Sequence, residues 1–156
     1  MIEASSLNPH NKQEYPPMHT CEHILNQTMI RMFGCERSKN AHIERKKSKC
    51  DYLLSKCPDD EQISEIERRV NMVIAAHLPV KIDFVTREQA SEMVDLSKLP
   101  NNAPDILRLV YVGDYDVCAC IGAHVENTVE IGAFKIVSHS YEDGVFRLRF
   151  KIVEPK

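Results

Sequence analysis

The clearest pattern along the chain is a recurrence of apolar residues every three or four positions, which is typical of α-helices. The first such stretch covers residues 18–33 and is followed by Gly34, a residue that commonly ends a helix. Its apolar stripe consists of Ile24, Leu25, Met29, Met32 and Phe33. The polar residues 1–17 end in two prolines, so we predict a flexible lead that stops just before this helix.

A second helical pattern, over residues 59–77, is stronger than the first. Its apolar face consists of Ile63, Ile66, Val70, Val73, Ile74 and His77. Asp59 is the predicted N-cap, and Gln62 follows three positions later, where its side chain can bond back to the cap. A third, short helix is predicted after Thr86, because Thr86 and Gln89 have the same capping-box spacing.

Apolar runs outside these helices predict β-strands. The expected strands are residues 39–45, 47–54, 80–85, 105–113, 133–141 and 145–153. The last two form a hairpin about Glu142, Asp143 and Gly144. Helices that alternate with hairpins, without repeated strand-helix-strand units, favour an α+β fold of two layers, with helices packed on a mainly antiparallel sheet. We expect one such domain over residues 18–156.

Composition narrows the class of protein. The chain has 156 residues, 28% of them charged, and a net charge of -3, so any polyanion it binds must meet a local basic patch. No apolar run reaches the length of a membrane span, and residues 1–20 lack the order of a signal peptide. We therefore expect a cytoplasmic protein without a membrane or DNA partner, whose six cysteines are reduced thiols.

Two pairs of residues carry the candidate chemistry. His19 and His23 are four positions apart in the first predicted helix, and a repeat of 3.6 residues per turn puts them on one face. Cys120 and His124 repeat this spacing later in the chain. Cysteine and histidine are preferred zinc ligands, so we predict one zinc ion bound by these four residues. The alternative is a metal-free site.

The number of ligands decides what such a zinc ion can do. Four protein ligands close the coordination shell, as in structural sites, whereas three ligands and a water are typical of catalytic sites. The sequence leaves both arrangements open. A helical zinc protease is not indicated, because that motif requires glutamate directly after the first histidine, and Thr20 follows His19.

Structural roles are the default for the remaining histidines, cysteines and acidic turn residues. We expect His42 on a strand face, His77 at a helix end and His139 on the hairpin. Core positions are predicted for Cys21, Cys35 and Cys50. Asp114 and Asp116 are expected to stabilise a turn.

Six short segments together resemble one family, the editing domain shared by threonyl- and alanyl-tRNA synthetases and their free-standing AlaX-type relatives. The segments are His19-Thr-x-x-His23, Leu78-Pro-Val, Thr86-Arg-Glu-Gln-Ala, Ile106-Leu-Arg-Leu-Val, Cys120-Ile-Gly-Ala-His124-Val and Asn127-Thr-Val-Glu-Ile-Gly132. The resemblance covers about residues 19–152, and its last two segments are the most specific.

The resemblance implies a trans-acting aminoacyl-tRNA deacylase that hydrolyses the ester of a mischarged tRNA without ATP, with seryl- or glycyl-tRNA(Ala) as the expected substrate. It implies that His19, His23, Cys120 and His124 form the catalytic and metal site. We predict substrate contacts from Thr20, Asn40, Lys46, Lys47, Arg147 and Arg149. A solvated sheet face is the alternative for the two arginines and Lys151.

One departure from the family pattern keeps a second function open. Many relatives have Gly-Gly-Thr between the cysteine and the last histidine, where this chain has Ile121, Gly122 and Ala123. The ligand spacing is unchanged, but a hydroxyl is lost from the wall of the site. The alternative is therefore a zinc-containing module that binds tRNA or an aminoacyl ligand and does not hydrolyse it.

Overall fold

The computed structural model describes residues 15–93 and 105–154. The helices are α1 (Pro16–Phe33), α2 (Asp60–Ala75) and α3 (Arg87–Ser91), with a 3-10 turn at Thr128–Ile131. The strands are β1 (Asn40–His42), β2 (Ser48–Leu53), β3 (Val80–Thr86), β4 (Ile106–Val112), β5 (Asp116–Ala119), β6 (Ala133–Glu142) and β7 (Val145–Val153). The predicted loop at residues 99–104 lies outside the described ranges.

The strands form two antiparallel sheets, which confirms the α+β class. Their orders are β1-β2-β7-β6 and β3-β4-β5, where one mainly antiparallel sheet was expected. The division arises because β3 pairs along its whole length with β4, from Val80 opposite Val112 to Thr86 opposite Ile106. Strand β2 pairs instead with β7.

The main core lies between the four-stranded sheet and helices α1 and α2. Alternate residues of β2 and β7 point towards the helices and are fully buried or nearly so, namely Cys50, Tyr52, Phe146, Leu148 and Phe150. They pack against Ile24, Leu25 and Met29 of α1 and Ile66 and Val70 of α2. Fully burying one large apolar side chain stabilises a fold by about 1.5–3 kcal/mol. This core therefore holds α1, the helix that carries His19 and His23, against the sheet.

Local signals account for most helix boundaries. The Asp59 side chain accepts a hydrogen bond from the backbone of Gln62 at 2.8 Å, and the Gln62 side chain accepts one from the Asp59 backbone at 2.9 Å, so the predicted capping box is confirmed. Thr86 and Gln89 form the second predicted box. Gly34 ends α1 in the left-handed region, with φ of 67°, where glycine has no steric cost.

Two helix boundaries differ from expectation. Helix α1 begins at Pro16, two residues earlier than predicted, because proline is well tolerated in the first helical turn, where the missing N–H has no helical partner. Residues 16 and 17 of the predicted lead are therefore helical, and residues 1–14 lie outside the described part. Helix α2 ends at Ala75, and His77 follows with φ of 55°, at the helix end as predicted. Among the helices of the described ranges, none has both the length and the apolar character needed to cross a membrane.

Candidate metal centre

Helix α1 and the segment after β5 bring four side chains to one point. His19 and His23 are one turn apart on the buried side of α1, and both are about 95% buried or more, at 5% and 4% exposure. Cys120 and His124 come from the loop that follows β5. The candidate ligand atoms of these four residues all lie within 4.8 Å of one another.

The donor atoms are closely packed. The Cys120 Sγ lies 3.3 Å from Nε2 of His19, and Nε2 of His124 lies 3.0 Å from Nε2 of His23. With Zn–N near 2.0–2.1 Å and Zn–S near 2.3 Å, tetrahedral ligands are about 3.3–3.6 Å apart. Small displacements would therefore fit a zinc ion between these donors, and one cysteine with three histidines suits that metal.

The contacts of the Nδ1 atoms, which face away from the centre of the cluster, leave the Nε2 atoms available to bind a metal. Nδ1 of His19 lies 3.2 Å from the carbonyl oxygen of Ala123, which can accept a hydrogen bond from the Nδ1–H group. Nδ1 of His23 lies 3.4 Å from the Asp116 carboxylate. Zinc-binding histidines generally donate their second ring N–H to a carbonyl or carboxylate, which fixes the tautomer and the ring orientation. Two of the three histidines have such a partner.

Asp116 is the functional residue that the sequence analysis missed. The expected turn role is wrong for Asp116, because it is the first residue of β5 and is 4% exposed, whereas Asp114 does lie in the turn. Its Oδ1 accepts hydrogen bonds from Arg37 and, at 2.9 Å, from Gln27, while Oδ2 faces His23. Strand alternation could have found it, since Asp116 and Cys120 are four residues apart in an extended segment and therefore share a face.

The environment of the cluster changes the pKa values of its members. Burial raises the pKa of Cys120, but hydrogen bonds with the three histidines outweigh burial and hold it well below its usual value. Burial lowers the pKa of His124 to about 4. Burial would also lower the pKa of His23, but hydrogen bonding with Asp116 raises it well above the usual range. Cysteine binds metal as a thiolate and histidine as a neutral imidazole. Metal binding would therefore release the additional proton that the raised pKa of His23 favours.

The loop that carries Cys120 and His124 is held by two further side chains. Arg108 of β4 donates hydrogen bonds to the carbonyl oxygens of Cys120 at 3.1 Å and Gly122 at 2.8 Å. The hydroxyl of Thr20 accepts a hydrogen bond from the backbone N–H of Val125 at 3.1 Å. Thr20 is fully buried, and its predicted contact with substrate stays a prediction.

The other predicted contact residues lie on or beside strands of the four-stranded sheet. Asn40 is exposed on β1 and donates a hydrogen bond to Asp51. Lys46 and Lys47 are exposed between β1 and β2. Arg147 and Arg149 alternate with the buried residues of β7, so they face away from α1 on the outer side of the four-stranded sheet. No hydrogen bond or ion pair found in the described ranges joins these five residues to the four-residue cluster, and their contacts with substrate stay predictions.

Comparison with known proteins shows which proteins the chain is similar to. Residues 107–149 match the family described as the threonyl and alanyl tRNA synthetase second additional domain. The alanine-tRNA ligase of Bacillus subtilis (strain 168) is 37% identical over 123 residues, which are 78% of this chain and 14% of the ligase. That of Hyperthermus butylicus is 36% identical over 140 residues, 86% of this chain and 15% of the ligase.

A more divergent relative extends the alignment. The alanine-tRNA ligase of Methanococcus maripaludis is 28% identical over 149 residues, or 93% of this chain and 17% of the ligase. The chain thus spans 14–17% of the length of these three curated relatives. The matched segment includes Cys120 and His124, and the alignments cover most of the chain. The chain therefore belongs to the family of the threonyl and alanyl tRNA synthetase second additional domain.

Proposed function

We propose that the chain is an aminoacyl-tRNA deacylase that acts in trans and removes a wrong amino acid from tRNA, with seryl- or glycyl-tRNA(Ala) as the first candidates. One observation carries the proposal: two motifs distant in sequence bring His19, His23, Cys120 and His124 together, with their ligand atoms within 4.8 Å. Relatedness to alanine-tRNA ligases supports tRNA as the partner. The cytoplasmic location predicted from the sequence belongs to the same proposal.

The chemistry of ester hydrolysis assigns roles to the residues of the cluster. His19, His23, Cys120 and His124 are the candidate ligands, and a zinc ion held by three of them would keep one position open for a water molecule, whose pKa it would lower, and would polarise the ester carbonyl. Ala123 and Asp116 orient His19 and His23 so that each Nε2 faces the centre. Arg108 and Thr20 fix the loop that closes the site, which keeps the donors in place without reorganisation during the reaction.

The alternative function, a binding module that keeps zinc but does not hydrolyse the ester, is also supported by one observation. All four donors point inward and Cys120 is 6% exposed, which matches the closed shell of structural zinc sites. In that case the module would hold tRNA or an aminoacyl ligand. The two functions differ in whether the ester is cleaved.

A deacylation assay separates the two functions. The full chain would be incubated with seryl-, glycyl- and correctly charged alanyl-tRNA(Ala), and release of the amino acid followed with time. We expect hydrolysis of a mischarged species, loss of that activity in His23→Ala and His124→Ala, and parental activity in His139→Ala, an exposed histidine on β6. Circular dichroism would show that each variant is folded.

Each outcome of this assay is decisive. A folded His23→Ala variant that deacylates at the parental rate would remove the cluster from the mechanism. A parental protein that binds zinc and tRNA but leaves every ester intact would favour the binding module.

A further inference from the structure

One end of the outer face of the four-stranded sheet carries only cationic and neutral side chains. Lys49 of β2 is directly opposite Arg149 of β7, and Lys135 of β6 is directly opposite Lys151 of β7. All four alternate with residues that point into the core, so they share the outer face. Lys135 and Lys151 are exposed, and Lys49 and Arg149 are half-buried. We call these four residues the basic face.

The four cations of the basic face form no ion pair with a carboxylate in the part of the chain that the structure describes. Neighbouring residues do form ion pairs, since His42, which is directly opposite Lys49, pairs with Glu44, and Arg45 pairs with Glu154. Lys49 is also attracted by Asp51, two positions along β2. The nearest outer-face carboxylate along β2, Asp51, is bound by Arg147 through two hydrogen bonds of 2.7 and 2.9 Å. Glu142 lies at the hairpin end of the sheet.

Like charges directly opposite each other across two strands lower the stability of a sheet. There are two such pairs, Lys49 with Arg149 and Lys135 with Lys151. Each pair has one member on β7, and only Phe150 separates these two members along the strand. The fold therefore carries an electrostatic cost at this place. An anion bound across the strands would remove that cost.

The neighbours of the basic face are suitable donors to phosphate. Ser138 of β6 is opposite Arg149, and its exposed hydroxyl lies on the same side of the sheet. Lys46 and Lys47 precede β2 and are exposed at the same end. Lysine, arginine and serine are the side chains that contact the backbone of nucleic acids, and neighbouring strands about 4.8 Å apart present them as an array.

We propose that the basic face binds the phosphate backbone of the tRNA. This inference rests on the proposed function for the identity of the polyanion, and it assigns the contact to a surface outside the metal centre. The basic face and α1 lie on opposite sides of the four-stranded sheet, so the phosphates bound there belong to the body of the tRNA and not to its aminoacyl end.

Binding as a function of salt tests the proposal on the full chain. The affinity for uncharged tRNA(Ala) would be measured from low to high salt for the parent, the double variant Lys135→Gln/Lys151→Gln and Arg149→Gln. Lys81→Gln is the matched control, since Lys81 is an exposed cation on β3 of the other sheet. We expect the slope of log affinity against log salt to fall by about 2 for the double variant, by about 1 for Arg149→Gln and not at all for the control.

Two further measurements separate this proposal from the proposed function. Hydrolysis of seryl-adenosine, an ester without the tRNA body, should be the same in the parent, in the double variant Lys135→Gln/Lys151→Gln and in Lys81→Gln, and the melting temperature should not fall when like charges are removed. Salt slopes equal to that of Lys81→Gln, or a parent that does not bind tRNA, would overturn the proposal. Binding of uncharged tRNA needs no hydrolysis. The salt slopes would therefore still test the basic face if the protein proved not to be a deacylase.

Discussion

Asp116 and His23 face each other in the interior of the protein, with 3.4 Å between Oδ2 of the carboxylate and Nδ1 of the imidazole. Apart from this contact, neither of these two atoms has a hydrogen-bonding partner within the described ranges. The side chain of Arg37 pairs with the other carboxylate oxygen. A buried carboxylate costs several kcal/mol unless it is paired, so this arrangement points to a role for Asp116 in holding His23.

Replacing Asp116 by asparagine should therefore weaken zinc binding. The amide can still accept a hydrogen bond from His23, but the negative charge that makes the imidazole a stronger ligand is lost. We expect zinc affinity to fall by about 10- to 100-fold, measured by competition with a chelating dye. Asp114→Asn, in the adjacent exposed turn, is the control and should bind zinc like the parent. Equal zinc affinity in both variants would show that Asp116 serves the fold alone.

The segment after His124 fixes the end of α2. The hydroxyl of Thr128 is fully buried, accepts a hydrogen bond from the backbone N–H of Leu78 at 2.9 Å and lies 3.0 Å from the carbonyl oxygen of Ile74, to which it can donate. Thr128→Val keeps the shape and removes these bonds, which leaves a buried N–H and a buried carbonyl unsatisfied. We expect a loss of about 1–3 kcal/mol in the free energy of unfolding, measured by urea denaturation.

A nearby residue gives the control for this measurement. Val129 is 43% exposed, so Val129→Ala should change the stability by less than about 0.5 kcal/mol. If Thr128→Val were as stable as Val129→Ala, the hydrogen bonds of Thr128 would not contribute to holding α2.

Features set by near neighbours in sequence were predictable. The capping boxes at Asp59 and Thr86 and the end of α1 at Gly34 depend on residues within about four positions, and all three are confirmed. The hairpin also follows from local sequence, since Asp143 and Gly144 both adopt positive φ, as a tight hairpin turn requires.

Features set by distant contacts were not predictable in the same way. The turn role expected for Asp116 was the ordinary one for its residue type, and its burial depends on pairing with Val112 and on packing against α1. Likewise, the buried hydroxyl of Thr20 bonds to the backbone of Val125, more than a hundred residues away in sequence. The division into two sheets also depends on which strands pair with each other, and the residue pattern within a single strand does not determine this.

The ion pair between Asp51 and Arg147 predicts a pH dependence of stability. Hydrogen bonds from Arg147 lower the pKa of Asp51 below its usual value. A carboxyl whose pKa is lowered by folding stabilises the protein fully above its unfolded-state pKa, near 3.9, and loses this contribution as the pH falls through the folded-state value. Asp51→Asn should therefore be less stable than the parent at pH 7, and the difference should shrink below about pH 4.

Urea denaturation at pH 7 and at several values below pH 4 would measure this difference. Asp114→Asn removes one exposed carboxylate and serves as the control for the change in net charge. A difference between Asp51→Asn and the parent that stays constant with pH would show that the charge of Asp51 does not contribute.

The last prediction concerns Cys120 and separates a metal site from a metal-free one. The serine variant keeps a hydrogen-bonding group near His19, but a hydroxyl is a much poorer zinc ligand than a thiolate. If Cys120 binds zinc, the zinc affinity of Cys120→Ser should fall by more than the roughly 10- to 100-fold expected for Asp116→Asn, which changes only a partner of a ligand. Deacylation should fall with the zinc content. Cys57→Ser, at an exposed cysteine, should match the parent in both.

In a metal-free site the same variant behaves differently. The three histidines would still position water through hydrogen bonds, and serine at position 120 would replace one of these bonds, so partial activity should remain at an unchanged metal content. Elemental analysis, circular dichroism and deacylation on the same preparations distinguish the cases. Full activity in a folded Cys120→Ser variant that holds as much zinc as the parent would exclude the Cys120 thiolate as a ligand, and His19, His23 and His124 would then form a three-ligand site of the catalytic type.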